Sequence, residues 1–366
     1  MDRILIIRLS SMGDIIHTLP AVAALRRAFP LAALGWVIEK RWAELLCARN
    51  NPGEPAVLPH SPEKPLVDTV HVVNTKAWRS APFSDATWKE MLFAKREIQS
   101  ANYQAAIDFQ GAIRSAVLAQ IAGIPSRFGF ARPRERAAGL WYTTQVATRG
   151  RHIAEQNLSL ASALAGPDIE MAACELPRDS AAEAWCEREL QQRNVCDFAI
   201  LTPGAGWGAK CWPPERYGAV AKNLAAEGFH SIVNFGPGEE SLAHAVETAS
   251  GGAAQAITCS LGELTALARR ARIFIGGDTG PLHLAAALRI PVVALYGPTN
   301  PARNGPIGTR CIVLRSPESP TTHARRSRPD VGMLTITPEQ VIAAVHTLLA
   351  PNIPPRAVSG VENSFA

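Results

Sequence analysis

The chain has 366 residues and a formal net charge of +5, with 47% hydrophobic and 19% charged residues. That balance excludes wholesale disorder, and the length suits two domains. No apolar run approaches the ~18 residues of a membrane-spanning helix, and Ile4–Ile7 is too short and too early for a signal peptide, so a cytoplasmic location is expected.

The charge is uneven. Residues 1–165 carry 20 Lys and Arg against 13 Asp and Glu, net +7, and residues 166–366 carry 17 against 19, net −2. A basic first half points to an anionic partner (nucleic acid, acidic lipid headgroups or a phosphorylated substrate) or simply to excess surface arginine. Seven cysteines show no CxxC pair, which reads as reduced and structural, with no metal site.

In chain order, short apolar runs predict strands at 4–8, 34–38, 67–73 and 105–109. Helical periodicity between them predicts helices at 15–29, 41–49, 88–100 and 112–122. A mostly helical connector spans 150–196 and breaks at Gly166-Pro167, a hinge candidate. A second series predicts strands at 198–202, 231–235, 254–257, 273–276 and 292–296, with helices at 214–227, 239–248, 261–270 and 280–288. Segment 300–306 reads as loop, and a last helix at 338–349 follows a polar stretch. Alternating strands and helices imply parallel sheets: an α/β protein of two doubly wound Rossmann-like domains facing a cleft, with ligands at the strand C-terminal edges. The expected division is 1–170, 171–350 and a disordered tail at 351–366, with the last helix packing back on the first domain.

Three segments can carry chemistry. Arg8–Asp14 links the first strand to the first helix. Gly13 permits close backbone approach, and Asp14 serves either as a helix cap or as a general base facing the cleft. No GxGxxG occurs there, which disfavours a dinucleotide-binding dehydrogenase. The second segment, Leu201–Pro213, combines three glycines with Lys210, a pattern suited to a diphosphate or to a plain flexible loop; it is not a Walker A sequence. The third, Ile275–Ala287, turns from a strand into a small-residue helix. Its N-terminus, Thr279 and His283 suit an anion, although Asp278 as a cap and His283 in the core is the alternative. Glu239 or Glu240 after Gly236-Pro237-Gly238 suits ribose hydroxyls or merely a helix first turn. Lys76, Arg79, Arg114, Arg127, Arg132, Arg134 and Arg136 lie in or after loops and are candidates for an anionic site. No aromatic-interleaved basic motif supports nucleic-acid binding.

The run Arg8-Leu9-Ser10-Ser11-Met12-Gly13-Asp14-Ile15-Ile16-His17-Thr18-Leu19-Pro20 closely resembles the opening of ADP-heptose:lipopolysaccharide heptosyltransferases, particularly the type I members. Asp108-Phe109-Gln110-Gly111, Gly277–His283 and Tyr296-Gly297-Pro298-Thr299-Asn300-Pro301 are similar to further signatures of that family, while Thr202–Pro213 looks more like its type II members. The resemblance to glycosyltransferase family nine implies a GT-B fold and inverting transfer of heptose from an ADP-sugar, with no metal or other cofactor. It implies that Asp14 is the general base and that Lys210, Asp278, Thr279, Gly280 and His283 hold the diphosphate. Thr202, Gly204 and Glu239 fall on the donor side, and Ser11, Gly13, Lys76, Arg79 and Arg114 on the acceptor side. The implied acceptor is an anionic lipid-linked Kdo unit, met by a peripheral protein at the cytoplasmic face of the inner membrane. A different nucleotide sugar or acceptor, or a non-catalytic nucleotide-binding protein of this fold, is the alternative.

Overall fold

The computed structural model describes residues 1–49, 57–81, 83–322, 324 and 326–350; the tail expected over 351–366 lies outside them. The described residues form twelve strands. The first six are β1 (Arg3–Ile7), β2 (Ala33–Glu39), β3 (Thr69–Val73), β4 (Ala105–Asp108), β5 (Ser126–Phe130) and β6 (Thr144–Val146). The second six are β7 (Phe198–Thr202), β8 (His230–Asn234), β9 (Ala254–Ile257), β10 (Ile273–Gly277), β11 (Val292–Tyr296) and β12 (Cys311–Arg315). They form two parallel sheets, β3-β2-β1-β4-β5-β6 and β12-β11-β10-β7-β8-β9. Each follows the doubly wound order, so the direction in which successive strands are added reverses between β1 and β4 or between β7 and β10, where open α/β sheets bind ligands.

Helices cover both faces of each sheet, which is why central strands are apolar without alternation. Ile4 and Ile6 face the helix Leu19–Ala28 through Val22 and Leu25, while Leu5 and Ile7 face Ala94, Ile98 and Leu118 on the other side. In the second sheet, Leu201 and Ile275 pack with Tyr217 and Val220, and Ile200 and Phe274 with Leu267 and Leu282.

Several elements differ from the sequence reading. The helix expected at 15–29 is two, Met12–Ile16 and Leu19–Ala28. Pro20 lacks the N–H that would continue the first helix and instead sits in the first turn of the second. The segment 41–49 contains a 3-10 helix, Lys40–Leu45, and 300–306 contains a short helix, Pro301–Asn304, started by the Asn300 side chain accepting from Ala302 N at 3.0 Å. The last helix, Pro338–Leu349, packs on the second domain and not on the first. Val341, Val345 and Leu348 are buried beside Tyr217, Ile275 and Leu295, and each such burial is worth about 1.5–3 kcal/mol. Arg216 and Trp212 Nε1 also donate to the Ile336 carbonyl just before that helix.

The domains meet where the helix Met12–Ile16 lies against the helix Gly280–Ala287. A Cβ on Gly13 would stand 2.8 Å from His283 Cδ2, and one on Gly280 would stand 2.5 Å from Met12 Sδ. Both positions need glycine for this approach. Among the described residues no helix is long and apolar enough to cross a membrane.

Candidate active site in the interdomain cleft

The loop leaving β1 is built around Arg8. Its side chain is buried, donates to the Phe109 carbonyl, and places Nη2 2.9 Å from Asp14 Oδ1. Asp14 is the third residue of its helix. Its Oδ2 accepts from Ser11 N at 3.1 Å and Ser11 Oγ at 2.9 Å, so it braces the helix start from inside the first turn. That bracing does not remove it from the cleft: its side chain keeps 37% exposure and lines the cavity wall. Capping and cleft-facing roles, alternatives on spacing alone, are structurally compatible. Burial pushes the Asp14 carboxyl up, but the Arg8 guanidinium, both donors of Ser11 and the charge of Arg134 outweigh it. The net direction is below the usual carboxylate value.

The loop is held from behind by β4. Gln110 Oε1 accepts from Leu9 N and Ser10 N, both at 3.0 Å. Gln110 N donates to Asp108 Oδ1 at 2.8 Å, while Ser115 Oγ and Tyr142 OH donate to Asp108 Oδ2 at 2.7 and 2.8 Å. Asp108 therefore positions Gln110, and Gln110 positions the loop.

In the second domain, Lys210 is not the mobile charge its glycine-rich surroundings suggest. Its Nζ lies 2.6 Å from Asp278 Oδ2 and 3.1 Å from the Asp278 carbonyl, and over the Trp207 ring at 5.1 Å. His283 Nε2 lies 3.1 Å from Asp278 Oδ1. With Tyr296 OH also donating to Oδ1 at 3.5 Å, Asp278 binds three neighbours instead of capping its helix. Burial raises the Asp278 carboxyl, but hydrogen bonding by His283 and the Lys210 charge drive it well below the ordinary range. His283 is itself buried, 4.4 Å from the His17 ring of the first domain in an edge-on contact.

The other expected residues are placed as follows. Gly204 lies under Glu239: a Cβ there would fall 2.2 Å from its carboxylate oxygens. Glu239 Oε2 also accepts from Gly236 N at 2.8 Å. Thr202 is buried, its hydroxyl against Gly276 rather than in the loop. Thr279 and Gly280 begin the helix facing the first domain. Lys76 is exposed on the helix Thr75–Ser80, which also carries Arg79, and Arg114 sits in the first turn of the helix Ile113–Ile121. Arg127 has a structural task, donating to the Trp141 and Ile124 carbonyls.

A cavity of about 840 Å³ lies between the domains, and the expected donor residues Thr202, Gly204, Lys210, Glu239, Asp278, Thr279, Gly280 and His283 are not among its lining residues. Arg8, Asp14, Gln110, Arg132, Arg134 and Gln156 line it from the first domain, and Trp207 and Arg303 from the second. Lys76 and Arg114 are not among its lining residues. Gln156 and Arg303 are lining residues that the sequence reading did not single out, and Arg8 and Trp207 stood in its motif segments without a role. Arg8 was legible as a basic residue ending an otherwise apolar strand. Arg303 was hidden in what reads as loop. Among the described residues, no group of three or more His, Cys, Asp or Glu is arranged to hold a metal ion.

The model of glycosyltransferase family 9 (heptosyltransferase) matches residues 91–331. Lipopolysaccharide heptosyltransferase 1 of Pseudomonas aeruginosa is 30% identical over 322 residues, which cover 86% of this chain and 84% of that protein. Lipopolysaccharide heptosyltransferase 3 of Escherichia coli is 26% identical, with 93% and 96% covered. Among solved structures, E. coli heptosyltransferase WaaC with ADP-2-deoxy-2-fluoro heptose matches with a TM-score of 0.73 and 25% identity, over 94% of this chain and 99% of that one. E. coli ADP-heptose lps heptosyltransferase II agrees in fold, with a TM-score of 0.74, 20% identity and 95% and 98% covered. The two facing doubly wound sheets are the GT-B fold, and the chain belongs to glycosyltransferase family 9, the heptosyltransferases.

Proposed function

We propose that this protein moves heptose from ADP-heptose to the Kdo region of the lipopolysaccharide inner core, with inversion and with Asp14 as general base. The observation that carries this reading is the Asp14 carboxylate, held ionised on the cleft wall opposite Trp207 and Arg303 of the second domain. Kinship with proteins named for heptose transfer, one of them solved with an ADP-heptose analogue, supports the donor.

The acceptor hydroxyl sits beside Asp14 and attacks the anomeric carbon. Its proton passes to the carboxylate, and the bond from that carbon to the diphosphate oxygen breaks on the opposite face. Positioned proton transfer of this kind supplies about 10²–10⁴-fold in rate. The departing diphosphate gains negative charge. Two of the three Lys210 N–H groups go to Asp278, which leaves one for a phosphate oxygen. The helix N-terminus at Thr279-Gly280 adds backbone donors. His283 acts through Asp278, whose position it fixes. Glu239, above Gly204, takes the ribose side. Arg132 and Arg134 in the cleft meet the anionic acceptor, with Ser11 and Gly13 of the Asp14 loop beside them. The reaction takes place at the cytoplasmic face of the inner membrane, without a metal ion.

The test is incubation with ADP-heptose and Kdo-lipid A, following product mass, for the wild type and Asp14→Asn. The wild type adds one heptose. The variant loses about 10²–10⁴-fold in turnover and keeps its ADP affinity in calorimetry. Near-normal turnover by Asp14→Asn removes the base assignment, and absence of product from the wild type overturns the donor–acceptor pair.

A further inference from the structure

The helix Asp85–Ser100 buries one face, through Thr87, Ala94 and Ile98, and leaves the other apolar as well. Trp88, Leu92 and Phe93 are 52%, 47% and 70% exposed, and Phe83 in the preceding turn is 91% exposed. Positions 88, 89, 92, 93 and 96 share one helical face, so Lys89 and Arg96, both exposed, stand among the apolar groups. Soluble surfaces carry large apolar residues singly; a contiguous group of this size marks a contact surface. The acidic residues of the helix are drawn aside: Glu97 lies 2.7 Å from His71 Nδ1, and Glu90 accepts from Trp78 Nε1 at 2.9 Å. Asp85 is confined to the first turn.

We propose that this face, with Phe83, seats the protein on an anionic lipid bilayer. Aromatic and aliphatic side chains interleaved with Lys and Arg form the pattern of a helix lying in a membrane interface, with the basic stems reaching up to headgroups. A second copy of the chain is the poorer occupant, because two such faces bring like charges together on domains of net charge +7. Location adds to the argument. The helix is the crossover from β3 to β4, so it starts at the C-terminal edge of the first sheet, the edge that carries Asp14. A bilayer there presents a lipid-linked hydroxyl to the cleft. The inference rests on the lipid-linked acceptor proposed above.

The test is flotation of the full chain with vesicles of phosphatidylethanolamine and phosphatidylglycerol. It compares the wild type, the triple variant Trp88→Ser, Leu92→Ser, Phe93→Ser, and the pair Lys89→Glu, Arg96→Glu. The wild type floats; the triple variant loses at least tenfold in partitioning, and the charge pair loses binding that salt also removes from the wild type. With a deacylated, water-soluble acceptor, the triple variant keeps wild-type turnover, and with a vesicle-embedded acceptor it falls at least tenfold. Unchanged flotation of the triple variant overturns the proposal, as does a wild-type dimer that this variant converts to monomer. A wild type that turns over the soluble acceptor but ignores vesicles also overturns it, leaving the transferase reading intact. One that floats but transfers to neither acceptor breaks the transferase reading instead.

Discussion

The Arg8 guanidinium stands 2.9 Å from the Asp14 carboxylate, the arginine buried at the end of β1 and the aspartate on the cleft wall. A buried cation beside a partly exposed carboxylate favours the ionised form, and this sets the acid side of the pH–rate profile.

With its pKa below the ordinary value of about 3.9, Asp14 stays ionised throughout the neutral range. The acid limb of kcat/KM from Asp14 is therefore expected below that value. Arg8→Met removes the largest force lowering it, and the limb should move up by about 1–3 pH units. The position of the limb, not the height of the plateau, is the readout. A limb that stays where it was would show that Arg8 does not govern Asp14.

Lys210→Met leaves the Asp278 carboxylate buried with one partner fewer. The expected cost is about 3–5 kcal/mol of unfolding free energy, together with weaker ADP binding in calorimetry. Adding Asp278→Asn should restore part of the stability and none of the ADP affinity. The sign with pH follows from the lowered Asp278 pKa: its pairing stabilises the fold above about pH 3.9, and this is lost as pH falls towards the folded-state value. The gap between wild type and Lys210→Met should thus narrow in acid. A constant gap from pH 7 to 3 would detach Lys210 from this pair.

Much of this arrangement was legible in sequence. Residues ending β1, β4, β7 and β10 are the switch-point positions, and the apolar runs before them are unmistakable because both faces of each central strand are covered. Edge elements were harder to read. β6 has three residues, mostly exposed, and β5 includes arginine and glycine, so neither presents an apolar run. The pairing of Lys210 with Asp278, separated by 68 residues, depends on the juxtaposition of β7 and β10, and no local pattern encodes it. Nor does spacing within one segment show that His17 and His283 meet across the domain boundary.

Of those two histidines, His17 gives the protein a neutral-to-acid sensitivity. Among the described residues, neither ring nitrogen of His17 has a hydrogen-bond partner, and the ring is buried 5.1 Å from His152 as well. Burial lowers its pKa well below the ordinary 6.5, and the charges of His283 and His152 act the same way. Burial also lowers His152. The unfolded chain then binds protons that the folded chain refuses, so stability falls as pH drops below about 6.5. His17→Phe keeps a ring in the site without a proton to take up. Its melting temperature should fall less steeply between pH 7 and 5 than that of the wild type, and equal slopes would exclude His17 as the source.

Gly13→Ala sets two effects of opposite sign against each other. Gly13 lies within a helix, where alanine is favoured by up to about 1 kcal/mol. The new Cβ, however, meets His283 Cδ2 at 2.8 Å, and His283 cannot swing away without abandoning Asp278. The contact is relieved by moving the helix that carries Asp14 away from the second domain. A displacement near 1 Å at a reacting centre costs about 10²-fold in rate. Unfolding free energy should therefore change by no more than about 1 kcal/mol, while kcat/KM drops by about two orders of magnitude. Equal loss of stability and rate would mean that the glycine matters for folding alone; full activity would mean that the two helices are not held at this distance when the reaction occurs.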